Sequence, residues 1–143
     1  MKHLWLIYAL ISAFMASLVA IFGKIGLKNL DANLATTIRS LIMNLFLFIV
    51  VLIQGKLKYI DSVLTDGKSL FFIFLAGIAG ALSWLFYFLA LKIGKVSQIV
   101  SIDKLSLIFA IFLAFFFLGE KINLMTIFGA ILMIVGSIII SLQ

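Results

Sequence analysis

The chain of 143 residues has no cysteine, no proline and a single histidine, and it sets five carboxylates against eleven lysines and arginines. Without cysteine it has neither a disulfide framework nor a thiolate metal site. One imidazole, His3 at the extreme N-terminus, makes no metal cluster and no catalytic pair, so no metal or cofactor is expected. Without proline no helix is kinked by a pyrrolidine ring, and long helices are expected to run unbroken. Also missing are a glycine-rich phosphate loop, a nucleophile elbow and any histidine inside an apolar run, the marks by which most enzymes announce themselves. An enzyme is not expected, nor is ATP-driven work by this chain alone.

Charge is scarce as well. Only 11% of residues are charged while 66% are hydrophobic, and the mean hydropathy is +1.37. Globular domains in water run near 25% charged and about 45–50% apolar. A chain this short cannot hide the excess in a core of its own, so lipid is its expected solvent. The net charge of +6 does not indicate nucleic acid. The lysines stand singly at the ends of apolar runs, where their stems reach headgroups by snorkelling.

A helix needs about 20 apolar residues to cross roughly 30 Å of hydrocarbon. Five stretches reach that length: Leu4 to Phe22, Asn33 to Ile53, Ser69 to Leu91, Val96 to Leu118 and Ile122 to Leu142. They are too long, and alternate too little, for barrel strands. The first exceeds the usual length of a signal core and is followed by further spans, so it reads as a retained span. The expected architecture is an all-α membrane protein of one domain, residues 1–143, with no part standing in water as a domain.

The connectors are short. Asp31 or Asn33 is placed to cap the second helix, and Lys92 to Lys95 and Gly119 to Lys121 are tight turns. Glu120 is expected near the N-terminus of the fifth helix, where the helix dipole favours an anion. Trp5, Tyr8 and Tyr59 read as interfacial anchors. Small residues recur at helical spacing: Ala9, Ala13 and Ser17; Ala76 and Gly80, with Gly77 and Ala81 alongside; Gly129 and Gly136. In lipid such stripes let backbones approach closely, and packing within the bundle is their expected use, with a dimer seam on the fifth helix as the alternative.

Positive loops favour the cytoplasm. With the N-terminus inside, Lys2, Lys56, Lys58, Lys68 and Lys121 fall on the inner side and Lys24, Lys28, Lys92 and Lys95 on the outer, five against four. So slight a bias fits either one orientation fixed by other cues or insertion both ways round. With an odd number of spans, oppositely inserted copies pair about a two-fold axis in the membrane plane, the plan on which alternating access is commonly built.

Ionisable groups inside a span are expensive and point to function by default. Arg39, Asp103 and Lys104 each lie about 9–12 Å into a helix at 1.5 Å per residue. Thr36, Ser40 and Asn44 form a polar stripe beside Arg39; Ser97, Ser101 and Lys104 form another; Ser83 and Tyr87 flank Trp84. Together they predict a polar cavity among the second, third and fourth spans, with Trp84 and Tyr87 gripping an organic solute. Arg39 or Lys104 would engage an anionic group and Asp103 an amine or a proton. The structural alternative is a buried ion pair of Asp103 with Arg39 or with Lys104 of a second copy. Adjacent helical side chains point about 100° apart, which makes Asp103 and its own neighbour Lys104 poor partners.

Three segments carry a resemblance. They are FYFLALKIGKVSQIVSIDKLS from Phe86 to Ser106, FLGEKI from Phe117 to Ile122, and GAILMIVG from Gly129 to Gly136. With them the chain resembles an EamA domain, the repeat unit of the drug/metabolite transporter superfamily, over essentially its whole length. Gly119 and Glu120, just before the last span, are the most recognisable mark. Members commonly join two inverted five-helix units in one chain, so a single unit implies a homodimer, possibly antiparallel. The resemblance implies secondary transport of a small metabolite such as an amino acid, across the bacterial inner membrane. Small multidrug transporters of the same superfamily use a glutamate in the first of four spans; the first span here has no acid. The rival from another class is a non-transporting membrane subunit that stabilises or regulates a partner.

Overall fold

A computed structural model describes residues 4–143, and Lys2 and His3 lie outside the described residues, as do the readings made for them. Among the described residues the structure is helical throughout, with no strand. In hydrocarbon every backbone N–H and C=O must be satisfied within the segment, and these long apolar runs meet that demand as helices. They are α1 (Leu4–Gly26), α2 (Ala32–Ile53), the short α3 (Ile60–Thr65), α4 (Gly67–Ile93), α5 (Val96–Asp103), α6 (Ser106–Leu113) and α7 (Leu124–Ser141). Counting Val96–Leu118 as one, five helices among the described residues are long and apolar enough to cross a membrane.

Capping residues, not hydropathy, set the helix starts. Asp31 accepts from the backbone N–H of Asn33 at 2.9 Å and of Leu34 at 3.1 Å, so it caps α2 and Asn33 lies inside the helix. Asp66 serves α4 in the same way, accepting from the Ser69 N–H at 3.1 Å and the Ser69 hydroxyl at 2.6 Å. Those bonds to the ionised form, the hydroxyl first, hold the Asp66 carboxyl below the usual aspartate range. At α7 the cap is Asn123, which accepts from the Thr126 N–H at 2.7 Å. The helix therefore starts at Leu124, not Ile122, and Glu120 falls outside its first turn. The dipole role expected of Glu120 is not present, because Asn123 occupies the capping position.

The fourth span departs from the expected unbroken helix. At Lys104 and Leu105 the ladder tightens: Leu105 N–H donates to Ile102 O at 2.9 Å and Leu107 N–H to Lys104 O at 3.1 Å, both i to i−3. Just upstream the Ser101 hydroxyl donates to Ser97 O at 2.7 Å, sharing a carbonyl of the ladder in the manner that bends helices. The span closes in a wide π-helical turn from Ala114 to Leu118 and ends at Gly119 in the left-handed region, φ 67°. Ala114 O accepts from both the Gly119 and the Glu120 N–H. Proline is one route to a broken helix; hydroxyl back-bonding and a glycine terminus are others.

The chain divides into two compact units, one of Gly26–Lys92 and one of the N-terminal part up to Ile25 with Ile93–Gln143. Within the first, Leu27, Ala32, Phe88 and Leu91 are buried, and Lys92 Nζ donates to Leu30 O, tying the end of α4 to the approach of α2. Within the second, α5 packs on α7: Gln98 Nε2 donates to Ser141 O at 3.0 Å and Lys95 Nζ to Gln143 O at 2.9 Å. Lys24 Nζ, at the end of α1, donates to Gly94 O at 2.8 Å. Most large apolar side chains, among them Phe46, Phe74, Phe109 and Phe128, face outward, as residues that meet acyl chains do.

The glycine stripes do not bring backbones together within the chain. A Cβ added at Gly77, Gly80, Gly129 or Gly136 would meet nothing within 4 Å. The close packing expected of Gly77 and Gly80 is thus replaced by open space beside α4.

Candidate functional site

That open space belongs to a cavity of about 520 Å³ lined from α2 and α4 alone. Arg39 enters it from the eighth position of α2, about 10 Å along the helix at 1.5 Å per residue. The Arg39 guanidinium carbon stands 3.6 Å from the centroid of the Trp84 ring and 5.4 Å from that of Phe88. Trp84 is steadied by edge-on contacts with Tyr87 at 5.5 Å and Phe88 at 6.0 Å. A cation over an aromatic face gains about 2 kcal/mol when desolvated. This offsets part of what a charge costs inside a bilayer.

The hydroxyls on α2 spend their protons locally. Thr36 donates to Ala32 O at 2.8 Å, Thr37 to Asn33 O at 2.9 Å and Ser40 to Thr37 O at 2.7 Å. Each is left with lone pairs only. The opposite wall, Ala76, Gly77, Gly80 and Ala81, is small and apolar.

Of the residues expected at the site, Arg39, Ser40 and Trp84 line this cavity, and Tyr87 supports it from behind Trp84. Asn44 lies one turn beyond Ser40, exposed and outside the lining. Ser101, Asp103 and Lys104 belong to the other unit. There Lys104 Nζ lies 3.8 Å from Asp103 Oδ2, with the two side chains 53% and 41% exposed. The two neighbours do pair, unlike the expectation from a 100° offset. The helix is tightened at this point by i to i−3 bonds, and both side chains are partly exposed. At that distance and exposure the pair is a weak one. Phe88, Thr37 and the small wall of α4 were not foreseen as site residues. The i, i+4 spacing of Trp84 and Phe88 was the available signal for the first.

The fold and the cavity define a multi-pass α-helical membrane protein with a largely apolar hollow, holding one arginine and three hydroxyls, in its bilayer-spanning part. The profile of the EamA-like transporter family matches residues 3–142, and the chain belongs to that family. It is 33% identical over 141 residues, 99% of each chain, to a Sinorhizobium protein described as an uncharacterized transporter in the cobO 3′ region. It is 30% identical over 106 residues, 69% of this chain and 77% of the other, to an uncharacterized protein of Methanocaldococcus jannaschii. No solved structure matches it significantly. Family and relative point to a transporter and not an enzyme.

Proposed function

We propose that this protein is a secondary transporter of a small metabolite, amino-acid-like in size, working by alternating access as a homodimer in the bacterial inner membrane. The observation that carries the reading is the α2–α4 cavity, with one cation held on an aromatic face within the span. Its volume of about 520 Å³ falls in the range of about 300–1,000 Å³ typical of small-molecule sites. A purely structural charge would be expected to sit in a closed pair, not beside an open hollow. Five helices supply one such cavity, and a second copy supplies the moving counterpart that alternating access requires. Asp103 and Lys104, at the tightened turn of the fourth span, are the charged elements proposed for the pathway beside Arg39. Such mid-helix turns often mark hinges.

Vesicles containing the purified protein and loaded with pooled amino acids and organic acids test the reading by labelled exchange. Exchange of at least one pool above protein-free vesicles is expected. Absence of exchange for every pool sinks it in favour of the non-transporting subunit.

A further inference from the structure

We propose that the α2–α4 cavity selects a solute bearing a single carboxylate on a compact apolar body. Arg39 is its counter-ion, and Gly77 and Gly80 set how large the body can be. This assignment of substrate class rests on the transport reading above.

The first argument is charge. Arg39 is the only ionised group in the two spans that form the cavity apart from Lys68 and Lys92, which stand within a turn of the ends of α4. The three carboxylates of this unit, Asp31, Asp61 and Asp66, all lie outside α2 and α4, and Asp31 and Asp66 are engaged as caps. A guanidinium inside a bilayer with no acid on either helix has no counter-ion within the cavity lining, and an incoming anion supplies one. One cation neutralises one negative charge, so a dianion would carry a net charge into the span. A solute amine would meet the guanidinium with no acid among the lining residues to offset it.

Geometry narrows the anion further. At 3.6 Å from the Trp84 centroid the guanidinium has room only to lie roughly flat on the ring. Its N–H donors then point outward in their own plane, the fork that matches a carboxylate with two parallel hydrogen bonds. Among the other lining side chains only the Trp84 indole N–H is a further donor, and it is uncharged. The hydroxyls of Thr36, Thr37 and Ser40 already donate to backbone carbonyls, and they present acceptors that suit an N–H or O–H beside the carboxylate. Everything else the solute touches is Met43, Leu82, Leu85 and the small wall of α4.

Size follows from that wall. An added Cβ at Gly77 or Gly80 meets nothing within 4 Å, and both glycines line the hollow, so a side chain placed there would take up space in it. The small-residue stripe of α4 thereby acts as the size filter of the site.

The test uses the full-length protein in lipid nanodiscs with Trp5→Phe, which leaves Trp84 as the single tryptophan of the two in the sequence. Its fluorescence is titrated with butyrate, hexanoate and octanoate, each beside its amide and its amine. Carboxylates are expected to bind about tenfold or more tighter than their amides, the size of one charge-assisted hydrogen bond, and amines not at all. Arg39→Gln is expected to erase the difference and Gly80→Leu to keep butyrate while losing octanoate. Amides or amines that bind as well as carboxylates, or no response to any carboxylate, overturn the proposal. So does an Arg39→Gln protein with an unchanged melting profile that keeps the preference. If Arg39→Gln fails to fold, the paired titrations and Gly80→Leu still decide. The same carboxylates are then run in vesicles. Tight binding without exchange removes the transport reading and leaves the selectivity standing; exchange of other solutes without carboxylate binding does the reverse.

Discussion

At Arg39 a single side chain carries most of the chemistry. Its burial in the span is tolerated because Trp84 and Phe88 present ring faces at 3.6 and 5.4 Å. Trp84→Leu removes the nearer face while keeping the position apolar. It is expected to lower stability by about 1–2 kcal/mol, read by denaturant unfolding in micelles, whereas Phe86→Leu, on the exposed side of α4, should change it by much less. Asp103 tests another kind of residue. Its own partner Lys104 is distant at 3.8 Å and half-exposed, so little structure rests on the charge. Asp103→Asn is expected to insert and melt like the parent protein but to lose exchange in vesicles about tenfold or more. Unchanged flux removes Asp103 from the pathway. Arg39 and Trp84 were each legible in the sequence as unusual residues within spans. Their contact was not, because it depends on the antiparallel register of α2 and α4, which no local spacing encodes.

Helix ends and the interruption of the fourth span belong to the scale of elements. Hydropathy located every span but misplaced several ends, since it cannot weigh a cap against an apolar neighbour. Asp31, Asp66 and Asn123 decide where α2, α4 and α7 begin. The Asp66 carboxyl is held below its usual range, so its contribution is complete above the unfolded-state value. As pH falls through the lowered folded value the contribution is lost. Acidification over that window is expected to fray the start of α4, and Ser69→Ala should move the loss to higher pH; amide exchange at Lys68 to Leu70 reads both. The break at Lys104 is not legible in the sequence because absence of proline does not ensure continuity: Ser101 back-bonding and the left-handed Gly119 need no proline. Gly119→Ala meets no steric obstacle but must hold φ near 67°. A loss of about 1 kcal/mol is expected, and Gly119→Asn should lose less because asparagine tolerates that region. A melting midpoint unchanged by alanine would mean the turn relaxes.

For the whole molecule the proposed pairing of two copies is tested through the lysines. Three of the four on the side of Lys24, Lys28, Lys92 and Lys95 donate to backbone carbonyls: Lys24 to Gly94, Lys92 to Leu30 and Lys95 to Gln143. Those charges cannot be altered without loosening a helix end, which leaves Lys28 as the one to change. Lys28→Gln turns the five-to-four balance of the sequence into five to three, while Lys56→Gln with Lys58→Gln turns it into three to four. The rule that places positive loops inside then drives the two variants toward opposite insertions. If the working unit is an antiparallel pair, each variant alone should concentrate in one orientation, seen by accessibility of terminal tags, and should lose exchange in proportion. Expressed together they should recover it, because each supplies the orientation the other lacks. A parallel pair, or a single chain acting alone, predicts the opposite pattern: each variant keeps its exchange, and mixing adds nothing.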